Sequence, residues 1–293
     1  MLLQGGYRVG RYEIDRFLGA GTAGEVYRAR DTQLGRAVAL KVLRAGGCVV
    51  ADRFTRLTKD ARTTALINHP NIVAVYDVGA ADGVPFVASE LLEGETLRSR
   101  LRGGPLPVPV AVGYALQIAH GLIAAHHLGV VHGALKPENF IVGENGELKI
   151  VDFGLAGWRG DATEAGRMAG YLSPEHISGE PIDERSDIFG LGVVLYEMLA
   201  GASPFDSGTT IDTLLAVQQA APRPLPARIG LTPDLAHTIE HCLEKPPAAR
   251  FQSGRDVAFV LEFMLRAPRP VAPVGAPARR LPAMLRRLWP AVC

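Results

Sequence analysis

The chain has 293 residues, 47% of them apolar and 21% charged, with a formal net charge of +1. This is an ordinary globular balance that suits one large domain or two intimate lobes. A charge so near zero argues against nucleic acid as a partner and against global attraction to a membrane surface.

Cys48, Cys242 and Cys293 are odd in number and widely spaced. That indicates neither a disulfide framework nor a zinc site, and a cytoplasmic, reducing setting is the simplest expectation. The opening residues, MLLQGGYRVGRYEID, lack the charged start and apolar run of a signal peptide. No run of about 18 consecutive apolar residues suggests a bilayer span.

In chain order, residues 11–92 read mostly as strands. RYEIDRFL, EVYRAR and RAVALKVL are short and partly alternating, separated by glycines or by the turn signal DTQLG. Between the first two lies LGAGTAGEV, a G-x-G-x-x-G pattern at Gly19, Gly21 and Gly24. Alone, this pattern fits a plain loop as well as a binding loop. A dinucleotide fingerprint requires a helix next, whereas EVYRAR reads as a strand. A glycine loop inside a hairpin can fold over phosphates, because bare backbone approaches closely.

VALK puts Lys41 on the third strand, 17 residues after Gly24. A strand lysine is usually a solvated residue. Yet the chain has only five lysines, and two of them, Lys41 and Lys136, stand where a compact ammonium would meet phosphate. A helix is predicted over about residues 51–67, before NHPN. After EGETL the texture changes to helix. VPVAVGYALQIAHGLIAAHHLG and SDIFGLGVVLYEMLAG are long and apolar at helical spacing, the second ending on Gly201. A strand-rich lobe followed by a helix-rich lobe implies two layers with a cleft between them.

Within the helical half, KIVDFGLA offers Asp152 after an apolar strand, and Asn139 lies 13 residues earlier. A carboxylate and an amide oxygen are hard ligands suited to Mg²⁺. Glu175 in LSPEH and Arg250 in ARF are expected to form a structural ion pair. Asp187 stands near a helix start, where it can cap or hold loop backbone. His126, His127 and His132 do not read as a metal site, because adjacent helical residues diverge and no useful acid or thiol accompanies them.

These motifs, in this order, resemble the eukaryotic-like Ser/Thr protein kinases, especially the bacterial ones. The resemblance covers about residues 10–265. It implies an α+β bilobal fold, with a small β-rich lobe over about 10–92 and a larger helical lobe over about 93–265. It implies that Gly19, Gly21 and Gly24 cover the phosphates of ATP, that Lys41 meets the α- and β-phosphates, and that Lys136 sits by the γ-phosphate. Asn139 and Asp152 would hold magnesium. Leu18, Val26, Ala39 and Ser89 would line the adenine pocket, with Glu90 and Leu92 of SELLEG offering hinge backbone.

The sequence departs from the family at the catalytic loop. The family pattern is H-R-D-x-K-x-x-N, and this chain reads HGALKPEN from His132 to Asn139. Ala134 stands where the family has its aspartate, and it can accept no proton. A positioned general base contributes about 10²–10⁴-fold. Gly133 replaces the arginine that in the family meets an activation-loop phosphate, for which Thr163 would be the candidate acceptor. Met168 fills the slot of a threonine that contacts the catalytic aspartate. The helix partner of Lys41 falls on Asp60, one methylene shorter than the family's glutamate. A small Ser89 would open a pocket behind the adenine.

Two readings follow. One is a pseudokinase that binds ATP and Mg²⁺ and acts on a protein partner through shape. The other is a slow Ser/Thr kinase assisted by water or by a displaced carboxylate such as Glu138. The proline-, alanine- and arginine-rich tail, residues 266–293, reads as a solvated segment. Its alternative is a basic membrane-surface contact at the inner face of the membrane, through Arg279, Arg280, Arg286 and Arg287 beside Leu281, Leu285, Leu288 and Trp289.

Overall fold

A computed structural model describes residues 2–21, 24–43, 63–153, 166, 168–226 and 231–266. Six strands form the first lobe: β1 (Arg8–Val9), β2 (Tyr12–Gly21), β3 (Gly24–Asp31), β4 (Ala37–Leu43), β5 (Val75–Ala81) and β6 (Val84–Ser89). They lie in the order β1-β2-β3-β4-β6-β5, every neighbour antiparallel. The turn chemistry sets the register. At DTQLG, the Asp31 carboxylate accepts the backbone N–H groups of Gln33 and Leu34, and Gly35 takes φ +70°. Asp82 and Gly83, both at positive φ, make the tight hairpin between β5 and β6. Alternation along the strands sends Tyr12, Ile14, Tyr27, Leu40 and Phe86 into the core of this lobe.

A second, three-stranded sheet, β7 (Glu95–Thr96), β8 (Phe140–Val142) and β9 (Leu148–Ile150), floors the cleft. The described helices are α1 (Leu97–Leu101), α2 (Val108–His126), α3 (Pro174–Ser178), α4 (Glu184–Ala200), α5 (Thr210–Gln219), α6 (Pro233–Cys242) and α7 (Gly254–Arg266). α4 begins on Asp183, whose carboxylate accepts the Arg185 N–H, and ends on left-handed Gly201 as the sequence predicts. Its residues are buried on every side, as befits a helix apolar all round.

α2 has the length and apolar composition of a membrane span, although polar residues such as Gln117 and His120 interrupt any continuous apolar run. Its packing explains the composition, because it lies against α4, α7 and β9 in the core of the second lobe. The helix expected over residues 51–67 is described only at its end, where Thr63 and Thr64 are helical. The architecture is the α+β, two-lobed arrangement that the sequence implies.

Candidate functional site

A cleft of about 490 Å³ opens between the six-stranded sheet and the β8–β9 floor. Leu18, Gly19 and Gly21 reach it from β2, Val26 from β3, and Ala39 and Lys41 from β4. The two-residue period of β4 puts Ala39 and Lys41 on the cleft side while Leu40 enters the core. Ser89, Glu90 and Leu92 line it at the connection between lobes, and Lys136, Asn139 and Asp152 line it from below.

The charged end of the cleft is tightly arranged. Lys41 Nζ lies 2.7 Å from Asp152 Oδ2, with the lysine side chain only 9% exposed. Asp152 has φ +68°, a sparsely populated conformation for a residue with a side chain, of the kind that marks strained functional sites. Asn139 follows Pro137 in a 3₁₀ turn and donates its side-chain amide to Ala134 O at 2.9 Å. An amide that spends its N–H there turns its oxygen the other way, and Asn139 and Asp152 line the same cleft.

The loop before Ala134 is held from below. Asp187 of α4 accepts the backbone N–H of His132 at 2.8 Å and that of Gly133 at 2.7 Å, with His126 Nε2 a further 2.8 Å contact. Gly133 stands at φ +69°, which glycine adopts without steric cost. Burial keeps the His132 imidazole below its ordinary pKa, so it is neutral near pH 7. The neutral ring then donates from Nε2 to Val151 O at 3.0 Å and accepts the Ala134 N–H at Nδ1. Its edge meets the ring of Phe153, centroid to centroid 4.7 Å. Loop, Asp152 strand and α4 are thus one hydrogen-bonded unit.

The residue pattern and the fold agree with known proteins. The protein kinase domain family matches residues 12–258. The chain belongs to the protein kinase family. Its relatives include the serine/threonine-protein kinase PknB of Mycobacterium leprae, 35% identical over 84% of this chain and 42% of the relative. A probable serine/threonine-protein kinase of Streptomyces coelicolor is 36% identical over 92% of this chain and 41% of the relative. The chain therefore spans about two fifths of the length of these curated relatives. Among solved structures, the PknI kinase domain of Mycobacterium tuberculosis superposes with a TM-score of 0.73 at 26% identity, covering 89% of this chain and 99% of that one.

This kinase domain gathers most of the residues singled out by sequence. Gly24 is the exception. It pairs with Gly21 and Leu43 within the sheet and does not line the cleft, and a Cβ there would come within 2.0 Å of Val42 O. Strand packing is one reason for a glycine there. Asp60, Thr163 and the tail lie outside the described residues. The Glu175–Arg250 pair is present, with two 2.8 Å hydrogen bonds. Met168 lies in the turn before α3, where its carbonyl accepts the Tyr171 N–H.

Several participants escaped the sequence reading. Ile141 lines the cleft two residues after Asn139, between core residues Phe140 and Val142. The alternation of β8 was a signal for it. Glu90 does not present its carboxylate to the cleft alone, because Lys149 Nζ holds both oxygens at 2.8 and 2.7 Å. Arg98 of α1 ties Glu138 of the loop to Glu197 of α4 and to the Tyr171 hydroxyl. Burial and neighbouring Glu197 push the Tyr171 hydroxyl well above its ordinary pKa, so it stays protonated and donates to Glu197 at 2.6 Å. No local pattern links residues this far apart in sequence.

Proposed function

We propose that this domain binds ATP with Mg²⁺ and acts as a pseudokinase, a regulatory or scaffolding module that engages a protein partner through its shape. The observation that carries the reading is Ala134. The loop around it is fully braced, by Asp187, His132 and Asn139, yet the position of the family's proton acceptor ends in a methyl group.

The residues present fit the nucleotide and the cation. The small residues Gly19, Gly21 and Ala39 leave the upper face of the cleft open to a flat ring and to phosphates, and Lys41 and Lys136 supply positive charge at one end. Asn139 and Asp152 provide the two hard oxygen donors that a cation shared with phosphate oxygens needs. When bound, ATP with Mg²⁺ would supply a transferable phosphoryl group. Lys41 and Lys136 would then neutralise its charge, the glycine strand would exclude water, and Ala134 would hold no proton at all. With a small Ser89 beside Glu90, the adenine end is roomy.

Binding and turnover are tested separately. Ligand at about 100 times its dissociation constant stabilises a protein by about 2.7 kcal/mol. For a domain of this size, ATP with Mg²⁺ should raise the melting temperature by roughly 5–11 °C, and no rise would end the binding claim. Radiolabelled phosphate transfer from ATP to the chain itself and to a basic protein should match an Asp152→Ala blank. The Ala134→Asp variant should exceed it by about 10²–10⁴-fold if the braced loop is otherwise competent. Transfer by the natural chain clearly above the blank would establish the alternative, a slow Ser/Thr kinase.

A further inference from the structure

The first described residues run along the outer edge of the six-stranded sheet and end against the hairpin over the cleft. β1 pairs with β2 at Tyr12 and Glu13, and the backbone contact continues at Ile14, which donates to Tyr7 O and accepts the Gly6 N–H, both at 2.9 Å. A turn closed by the Tyr7 N–H on Gln4 O, with Gly6 at φ +84°, leads back to Leu3, which packs against the core of this lobe. Past Ile14 the pairing of β2 with β3 shifts register twice, between Ile14 and Arg16 and between Phe17 and Gly19. Such irregularities bend a strand, and among the described residues no strand flanks this half of β2 on its outer side. The half that reaches the cleft through Leu18, Gly19 and Gly21 is therefore paired on one side only.

One side chain bridges that gap. The Leu3 N–H donates to Tyr27 Oη at 3.1 Å, and the hydroxyl donates to Glu25 Oε2 at 2.9 Å. Tyr27 is fully buried, and burial holds its phenol above the ordinary pKa, so it keeps the proton that it donates. Its ring meets that of Phe17, its cross-strand neighbour on β2, edge to face with centroids 5.6 Å apart. Strand alternation puts Tyr27 and Glu25 on the face of β3 opposite to Val26, which lines the cleft. Leu3 is thereby tied, from above, to both limbs of the hairpin whose underside covers the cleft.

We propose that residues 2–9 form a strap, and that Tyr27 is the positioning residue through which the strap holds the β2–β3 hairpin down on a bound nucleotide. This rests on the nucleotide reading of the cleft, and adds that its affinity is set in part from outside it. Lifting the strap would loosen the hairpin and release the nucleotide. Tyr12 supplies the comparison. It is an equally buried tyrosine of the same core, but its hydroxyl donates to Asp77 at 2.9 Å, on β5 at the far edge of the sheet, and does not meet the hairpin's cleft end.

The test uses the full chain, with two readouts. The first is the dissociation constant for ATP with Mg²⁺ at a temperature well below melting. Tyr27→Phe, which removes the hydroxyl, and Leu3→Pro, which removes the N–H, should each weaken binding about fivefold, the worth of one ordinary hydrogen bond. The double variant should bind no more weakly than the stronger of the two effects, because both break one link. Tyr12→Phe should lower the melting temperature and bind ATP as the natural chain does. The second readout needs no ligand. Hydrogen exchange should quicken in β3 and in β2 past Ile14 in both strap variants, with β5 and β6 unchanged. Equal loss of affinity in Tyr12→Phe, additive losses in the double variant, or unchanged exchange in the hairpin would overturn the proposal. If the natural chain binds no ATP, the nucleotide reading falls and the affinity claim with it, and the exchange comparison still decides whether the strap steadies the hairpin.

Discussion

Arg250 is completely buried, yet all its donors are used: two on Glu175, and three on the carbonyls of Glu244, Lys245 and Arg185. Burial alone would raise the pKa of Glu175, but Arg250 and the Ser186 hydroxyl outweigh it and hold the carboxyl at about 2, against an ordinary 4.5. A depressed carboxylate contributes stability that is present above its unfolded value and lost as the folded group protonates. The contribution should therefore be complete at neutral pH and decline as pH falls from about 4.5 towards 2. Glu175→Gln keeps the shape and removes the charge, leaving Arg250 buried without its counterion. It should cost about 3–5 kcal/mol at pH 7. Urea unfolding of both proteins at pH 7 and near pH 3 should show the gap narrowing in acid; a constant gap would assign the loss to shape alone. This pair was legible in sequence because each partner sits in a recognisable short motif. Arg98 was not legible, since its partners Glu138, Tyr171 and Glu197 meet it only through the packing of α1 on the loop and α4.

At the level of elements, α4 is the keel of the second lobe, and its first turn supports the loop that ends at Ala134. Asp187 is 1% exposed and takes the backbone N–H groups of His132 and Gly133, which belong to no helix or strand ladder. Removing it strands those donors, and each buried unsatisfied group costs about 1–3 kcal/mol. Asp187→Ala should therefore lower stability by roughly 2–6 kcal/mol, with Asp187→Asn in between because it retains one acceptor oxygen. Guanidinium unfolding would check the order; equal stability of all three proteins would mean that the loop is held by His132 and Asn139 alone. The elements themselves were easy to read where periodicity was undisturbed, as in β2 to β4 and in α4 with its terminal Gly201. At Gly24 the G-x-G-x-x-G spacing does not by itself reveal that the residue is also pressed against the next strand. The three-dimensional contact with Val42 O does.

Over the whole molecule, the two lobes share backbone as well as a cleft. Residues 71–73, which precede β5 of the first lobe, run beside β9 of the second. Val73 donates to Ile150 O at 3.0 Å and Ile150 donates to Asn71 O at 2.8 Å, while the Asn71 amide reaches Leu148 O at 2.9 Å. Asp152 follows two residues after Ile150, so the strand that carries the cleft's carboxylate is pinned to the lobe above it. Lys149 on the same strand grips Glu90 at the connection, but both side chains are about a quarter exposed. The two ties should therefore differ in weight. Lys149→Met should cost no more than about 1 kcal/mol, as partly exposed ion pairs do. Asn71→Ala strands the buried Leu148 carbonyl and should cost about 1–3 kcal/mol. Because the lost bond joins the lobes, that cost should fall on both of them. Native-state hydrogen exchange should show protection in β4 and in α4 dropping together in Asn71→Ala. A loss confined to β4 would mean that the lobes open independently, and that the cleft between them is held by the loop on α4 rather than by the shared strand.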